Sequence, residues 1–105
     1  MLTMYPAVFI PEPDGRYSVL LPDFDCATCG DDLTDALEMA VDCMAGEVYT
    51  MQKEHQALPE PSKMTPKLLE KACLDVEADP KAAFWNLVAV DAVSYTHLRA
   101  HETCA

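Results

Sequence analysis

Between Leu33 and Met51 the apolar residues recur at steps of three and four: Leu33, Leu37, Ala40, Met44, Val48 and Met51, with Ala36, Val41 and Ala45 widening the stripe. That period specifies an α-helix with one buried face and one wet face. Asp35, Glu38, Asp42 and Glu47 fall on or near the wet side. Asp31 or Asp32 can cap the first turn by accepting a backbone N–H, and carboxylates there suit the positive helix end. A helix striped in this way has to cover a second apolar layer, so the remaining chain is read for what it offers.

The residues before the helix supply a sheet. Tyr5 to Ile10 reads as a first strand, with Pro6 tolerated at its start or on an unpaired edge. Pro11-Glu-Pro-Asp-Gly15 is a turn in which Asp-Gly supplies a positive-φ position. Tyr17 to Leu21 is a second strand, Pro22 to Asp25 a proline-led acidic turn, and Cys26 to Cys29 a third strand. Gly30 marks the strand-to-helix corner, where a residue without a Cβ is useful. Beyond the helix, Leu58-Pro-Glu-Pro-Ser-Lys63 is a stiff extended connector. Thr65-Pro66 then forms an N-cap and N1 pair for a short helix from Lys67 to about Leu74. Asp79-Pro80 breaks the chain, and Phe84 to Val90 reads as a last, largely buried strand ending at Asp91.

These elements predict an α+β fold in the order β-β-β-α-(α)-β: a three-stranded antiparallel meander plus a final strand, covered by one long helix. Residues 1–92 form the domain. The tail, 93–105, has no proline, glycine or stripe, and it resembles translated adaptor sequence found at the ends of unrelated proteins. It is read as a non-native extension without a functional role.

Charge narrows the function classes. Seven Lys and Arg against 18 Asp and Glu give a formal net charge of −11. Phosphate recognition rests on Lys and Arg, so this balance argues against nucleic-acid binding. A basic protein partner is the natural complement, with solubility as the plain alternative. At 105 residues a chain buries roughly 60–70% of its unfolded surface, enough to fold without disulfides or a metal. Five cysteines at irregular spacing fit reduced thiols. With no apolar run near the roughly 20 residues of a membrane span and no basic, apolar and cleavable leader, the expectation is a cytoplasmic protein.

The stretches Tyr5-Pro-Ala-Val-Phe, Asp14-Gly-Arg-Tyr-Ser-Val, Pro22-Asp-Phe-Asp-Cys-Ala-Thr-Cys-Gly-Asp-Asp-Leu-Thr-Asp-Ala-Leu37 and Leu58-Pro-Glu-Pro-Ser62 together resemble the amino-terminal domain of HicB-type antitoxins. The likeness runs from about Met4 to Ser62 and resumes at Phe84 to Asp91. It implies a partial ribonuclease-H-like fold that binds and blocks HicA, a small basic toxin that cuts messenger RNA. Such antitoxins usually carry a carboxy-terminal ribbon-helix-helix or helix-turn-helix domain. Only the tail follows Asp91 here, so the sequence reads as truncated before its DNA-binding domain, and DNA binding is not expected of it. The turn has Asp25-Cys26 where the family often has Pro-Gly.

Chemistry of its own is not expected. Two-metal hydrolysis needs carboxylates converging on ions about 4 Å apart, and active ribonuclease-H-like proteins resemble one another in placing an aspartate in the middle of the first strand. That strand here reads Ala7-Val8-Phe9-Ile10, so a residual nuclease is the weakest reading and no catalytic residue, metal or cofactor is assigned. Cys26-Ala-Thr-Cys29 has the spacing of a zinc half-site or a redox pair, and His97 and His101 that of another half-site, but residues three apart on a strand face opposite ways. Met39, Met44 and Met51 read as core filler. Asp23, Phe24, Asp25, Asp31 and Asp32 are the candidate partner-binding residues: a turn plus a helix start should bring these carboxylates together at one end of the sheet, to face a basic toxin. Their other use is helix capping and solvation. Trp85 and the last strand are a candidate homo-oligomer face. A stand-alone structural or ligand-binding domain without a toxin remains the alternative class.

Overall fold

The computed structural model describes residues 2–91. The first hairpin joins β1 (Leu2–Pro11) to β2 (Tyr17–Leu21) through a turn in which Gly15 adopts φ +90°. Its N–H reaches the carbonyl of Glu12 at 3.1 Å, and the Asp14 carboxylate accepts from the Arg16 N–H at 3.0 Å. A single 3-10 turn, Pro22–Phe24, leads into β3 (Cys26–Gly30). Then come α1 (Leu33–Lys53), α2 (Pro66–Asp75) and β4 (Phe84–Asp91). The four strands make one sheet in the order β3-β2-β1-β4, every neighbouring pair antiparallel.

β1 is longer than the predicted Tyr5–Ile10 because β4 pairs along almost all of it, from Leu2 opposite Asp91 to Phe9 opposite Phe84. β2 accompanies β1 only from Val8 to Pro11. Pro6 therefore lies beyond the end of the β2 ladder, where a strand tolerates a residue that cannot donate.

Register sorts the side chains into two faces. Tyr5, Ala7 and Phe9 share one face with Val19, Leu21, Val88 and Val90, and this face packs on Ala36, Ala40, Met44, Ala45 and Val48 of α1. Phe84 stacks on Phe9 with ring centroids 5.3 Å apart. Val8 and Ile10 point the other way, onto Cys73 of α2, with Leu20, Met64 and Leu69 beside them. The sequence assigned the sheet one long helix; α2 covers part of its second face as well.

The buried face of α1 is also rotated from the predicted stripe. Met39 is buried, whereas Leu33, Leu37 and Val41 stay partly exposed. The cause is the approach of the helix start to β3. A Cβ on Gly30 would lie 2.3 Å from the backbone nitrogen of Ala36, so only a glycine permits that spacing. The small residues turn inward and the leucine ridge moves to the rim.

Candidate functional site

The acidic stretch is divided by β3. Leu21 pairs with Cys26 at one end of that strand and Tyr17 with Gly30 at the other. Asp23 and Asp25 therefore stand at the first end, and Asp31 and Asp32 at the second, about five strand residues or ~16 Å away. The expectation that all four carboxylates gather at one end of the sheet is corrected: the intervening residues form an extended strand and not a loop that could fold back.

At the first end, Pro22 begins the 3-10 turn and Asp25 ends it in the left-handed region, at φ 50° and ψ 45°. Phe24 turns inward and meets the Tyr5 ring edge-on with centroids 4.7 Å apart. The Asp23 carboxylate accepts from both the backbone N–H and the hydroxyl of Ser62. The Tyr5 hydroxyl donates to the carbonyl of Pro59 at 2.7 Å. Two side chains thus clamp the Pro59–Ser62 connector to the sheet. Asp25 remains exposed.

Asp25 also borders a cleft of about 400 Å³ between α2 and the β2–β3 side of the sheet. Leu20, Ala27, Met64, Leu68 and Ala72 give it an apolar floor, and Lys71 and Asp75 stand with Asp25 among its polar groups. Nothing in the sequence pattern announced this cleft, because it depends on α2 crossing to the second face of the sheet.

At the second end, Asp32 is the N-cap of α1 and accepts from the Asp35 N–H at 2.8 Å. The Asp35 carboxylate accepts in return from the Asp31 N–H at 2.9 Å. The first bond satisfies an amide that an α-helix start leaves without a partner, and the second ties the residue before the cap to the first turn. The Asp31 carboxylate lies 3.6 Å from Arg16 Nε, with both side chains mostly exposed, a pairing worth at most about 1 kcal/mol.

Cys26 and Cys29 diverge, as positions three apart on a strand must. Cys26 faces α1, and its sulfur lies 3.5 Å from that of Cys43. That contact pushes the Cys26 thiol up, burial adding to it, and draws Cys43 down. Cys29 lies on the other face, where the Arg16 guanidinium approaches its sulfur at 3.5 Å. Cys43 lies fourteen residues after the expected motif ended, and tertiary packing alone brings it to Cys26. Among the described residues, no three of His, Cys, Asp and Glu are placed to hold a metal ion. His97 and His101, like the tail 93–105, lie outside the described residues. No helix among the described residues is long and apolar enough to cross a membrane.

No family model matches the sequence, and neither does any curated protein. Solved structures do match. A chain of a toxin–antitoxin complex from Streptococcus pneumoniae superposes with a TM-score of 0.74 at 24% identity, covering 100% of this chain and 82% of its own. The antitoxin HicB of Burkholderia pseudomallei gives 0.66 at 18% identity, over 98% of this chain and 73% of that one. The amino-terminal domain of that antitoxin gives 0.61 at 23% identity, with 85% of this chain and 99% of the domain covered. The four strands and two helices thus have the fold of HicB amino-terminal domains.

Proposed function

We propose that this chain is the antitoxin of a toxin–antitoxin pair, neutralising a small basic HicA-type ribonuclease by covering its surface and performing no chemistry itself. The observation that carries this reading is the superposition, at a TM-score of 0.74 over the whole chain, on a protein from a toxin–antitoxin complex. The net charge of −11 is its electrostatic complement: an acidic surface speeds encounter with a cationic partner and discourages others. The working compartment in this reading is the cytoplasm, where messenger RNA is cut, and the protein self-associates.

The proposed interface comprises Asp23, Phe24, Asp25, Asp31 and Asp32, but their availability differs. Asp23 and Asp32 already hold the connector and the helix start. Asp25 and Asp31 expose their carboxylates and are the two expected to meet cations directly. A second reading, a stand-alone ligand-binding domain, has the cleft beside α2 in its favour, since its volume is within the range of small-molecule sites.

The test is co-expression with the small basic product of a neighbouring gene, scored by growth rescue and co-purification. Rescue that is lost on Asp25→Lys or Asp31→Lys, with the circular dichroism unchanged, supports the interface. Rescue untouched by both substitutions removes these two residues. Absence of any rescue or complex by the unaltered chain sinks the antitoxin reading.

A further inference from the structure

Two thiols meet where the long helix crosses the sheet. Cys26 opens β3, which among the described residues is the outer strand on the side away from β4. Cys43 lies in α1. The two are 17 residues apart in sequence, yet their sulfurs are 3.5 Å apart, in van der Waals contact. Both are half-buried at the rim of the core that joins α1 to the sheet. Cys73, by contrast, is fully buried against the second face.

A disulfide holds its sulfurs ~2.05 Å apart, so this pair has to close by ~1.5 Å. That is a movement on the scale of a side-chain rotation, at residues that reach solvent. The two thiols are also unequal. The contact lowers the Cys43 pKa, because a proton on the Cys26 sulfur steadies a thiolate on Cys43, although burial and the Glu47 carboxylate one helical turn on work against this. The same contact raises Cys26. A thiolate is the nucleophile in sulfur chemistry, which makes Cys43 the attacking sulfur and Cys26 the resolving one.

We infer that Cys26 and Cys43 form a peroxide-sensitive dithiol, oxidised reversibly to a disulfide that ties β3 to α1. The Cys43 thiolate attacks one oxygen of hydrogen peroxide; the O–O bond breaks, Cys43 becomes a sulfenic acid, and the departing hydroxide takes up the proton that Cys43 had released. The Cys26 sulfur then attacks the Cys43 sulfur, and the hydroxyl group leaves as water with the Cys26 proton. Two thiols and one peroxide thus give one disulfide and two waters, the sulfurs losing the two electrons that the peroxide gains. Charge selects the oxidant. A net charge of −11 repels anionic oxidants such as glutathione disulfide and leaves neutral peroxide free to approach. In a reducing compartment the bond is transient and is reopened by thiol exchange. The inference is independent of the toxin.

Mass spectrometry of the full 105-residue chain, reduced, desalted and exposed to hydrogen peroxide, tests it. Cleavage after Glu38 separates Cys26 and Cys29 from Cys43. The expected product is a cross-link between those two fragments within one chain, two hydrogens lighter than the reduced pair and reopened by a dithiol reductant. The cross-link should persist in Cys29→Ser and vanish in Cys26→Ser and Cys43→Ser. A sulfenic-acid trap should label Cys43 in Cys26→Ser and leave Cys26 unlabelled in Cys43→Ser. The oxidised chain should melt at a higher temperature than the same chain reduced, because the closed loop restricts the unfolded state, and Cys26→Ser should show no such difference. Peroxide treatment that leaves Cys26 and Cys43 open to alkylation in the unaltered chain overturns the inference. So does a cross-link that survives Cys26→Ser, or one found only between chains.

Discussion

The Tyr5 hydroxyl donates to the carbonyl of Pro59 across 54 residues of sequence, at 2.7 Å. Burial raises the Tyr5 pKa above its ordinary value, and the nearby carboxylates of Asp23 and Glu60 add to that. A raised folded-state pKa means that the fold holds the phenol proton more tightly than the unfolded chain does. Its stabilisation is fully present below the ordinary tyrosine value of about 10 and is lost as pH rises through the folded value. Tyr5→Phe leaves the Pro59 carbonyl without its donor and should cost about 1 kcal/mol below pH ~10. Thermal melts of both proteins between neutral and strongly alkaline pH should show that deficit shrinking as the unaltered protein ionises. Cys26 and Cys73, whose thiols are also raised, titrate in both proteins and cancel in the comparison. A deficit that stays constant at high pH would detach the hydrogen bond from the titration.

Gly30 should tolerate no side chain. The Cβ of an alanine there would meet three backbone atoms, Ala36 N at 2.3 Å, Ala36 Cα at 2.5 Å and the Asp35 carbonyl carbon at 2.8 Å. Backbone cannot swing aside as a side chain can, so relief requires α1 to back away from β3. Overpacking of a fitted core costs typically 1–3 kcal/mol, occasionally more, and Gly30→Ala should reach at least the upper part of that range in urea unfolding. Gly15→Ala, at φ +90° with open space around it, should cost less, about 1 kcal/mol, through backbone strain alone.

Asp23 distinguishes clamp from contact. Its carboxylate accepts two hydrogen bonds from Ser62, and bonds to a charged group contribute about 1.5–3 kcal/mol. Asp23→Ala should destabilise the domain by roughly that amount and raise protease sensitivity near Pro61. Asp25→Ala, at an exposed residue, should affect stability much less. Ser62→Ala removes the hydroxyl but keeps the backbone N–H, so it should cost less than Asp23→Ala. If Asp23→Ala and Asp25→Ala prove equally mild, the clamp is not a stabilising feature.

The fold was legible because its strongest signals are local. The period from Leu33 to Met51, the Asp14-Gly15 turn, the Thr65-Pro66 start and the run from Phe84 to Val90 each specify their own element, and the sheet follows from having one amphipathic helix to cover. What could not be read is what tertiary contact decides. Stripe periodicity placed Leu33 and Leu37 inward, but the Gly30–Ala36 approach turned the helix past them. The carboxylates adjacent in sequence looked adjacent in space until a five-residue strand parted them. The contacts of Ser62 with Asp23 and of Cys43 with Cys26 could not be read, since each depends on a partner reached by the chain's return. The place of β4 beside β1 was not read either, since only long-range pairing decides it.

Thr28 is the one buried polar side chain among the described core residues, and its hydroxyl has no hydrogen-bond partner among them. It sits in β3 opposite Val19, on the face covered by α1. A desolvated hydroxyl without a partner costs about 1–3 kcal/mol, and valine has the same branched shape with a methyl group in place of that oxygen. Valine also favours strands. Thr28→Val should therefore stabilise the domain by about 1 kcal/mol, raising the urea midpoint without changing the slope of the transition, because the surface exposed on unfolding stays the same. Thr28→Ala separates the two contributions: it removes the same unpaired hydroxyl but also the packing methyl, so it should fall below Thr28→Val and near or under the unaltered protein. If Thr28→Val instead destabilises while Thr28→Ser does not, the hydroxyl has a partner in solution and the position is a hydrogen-bonded one.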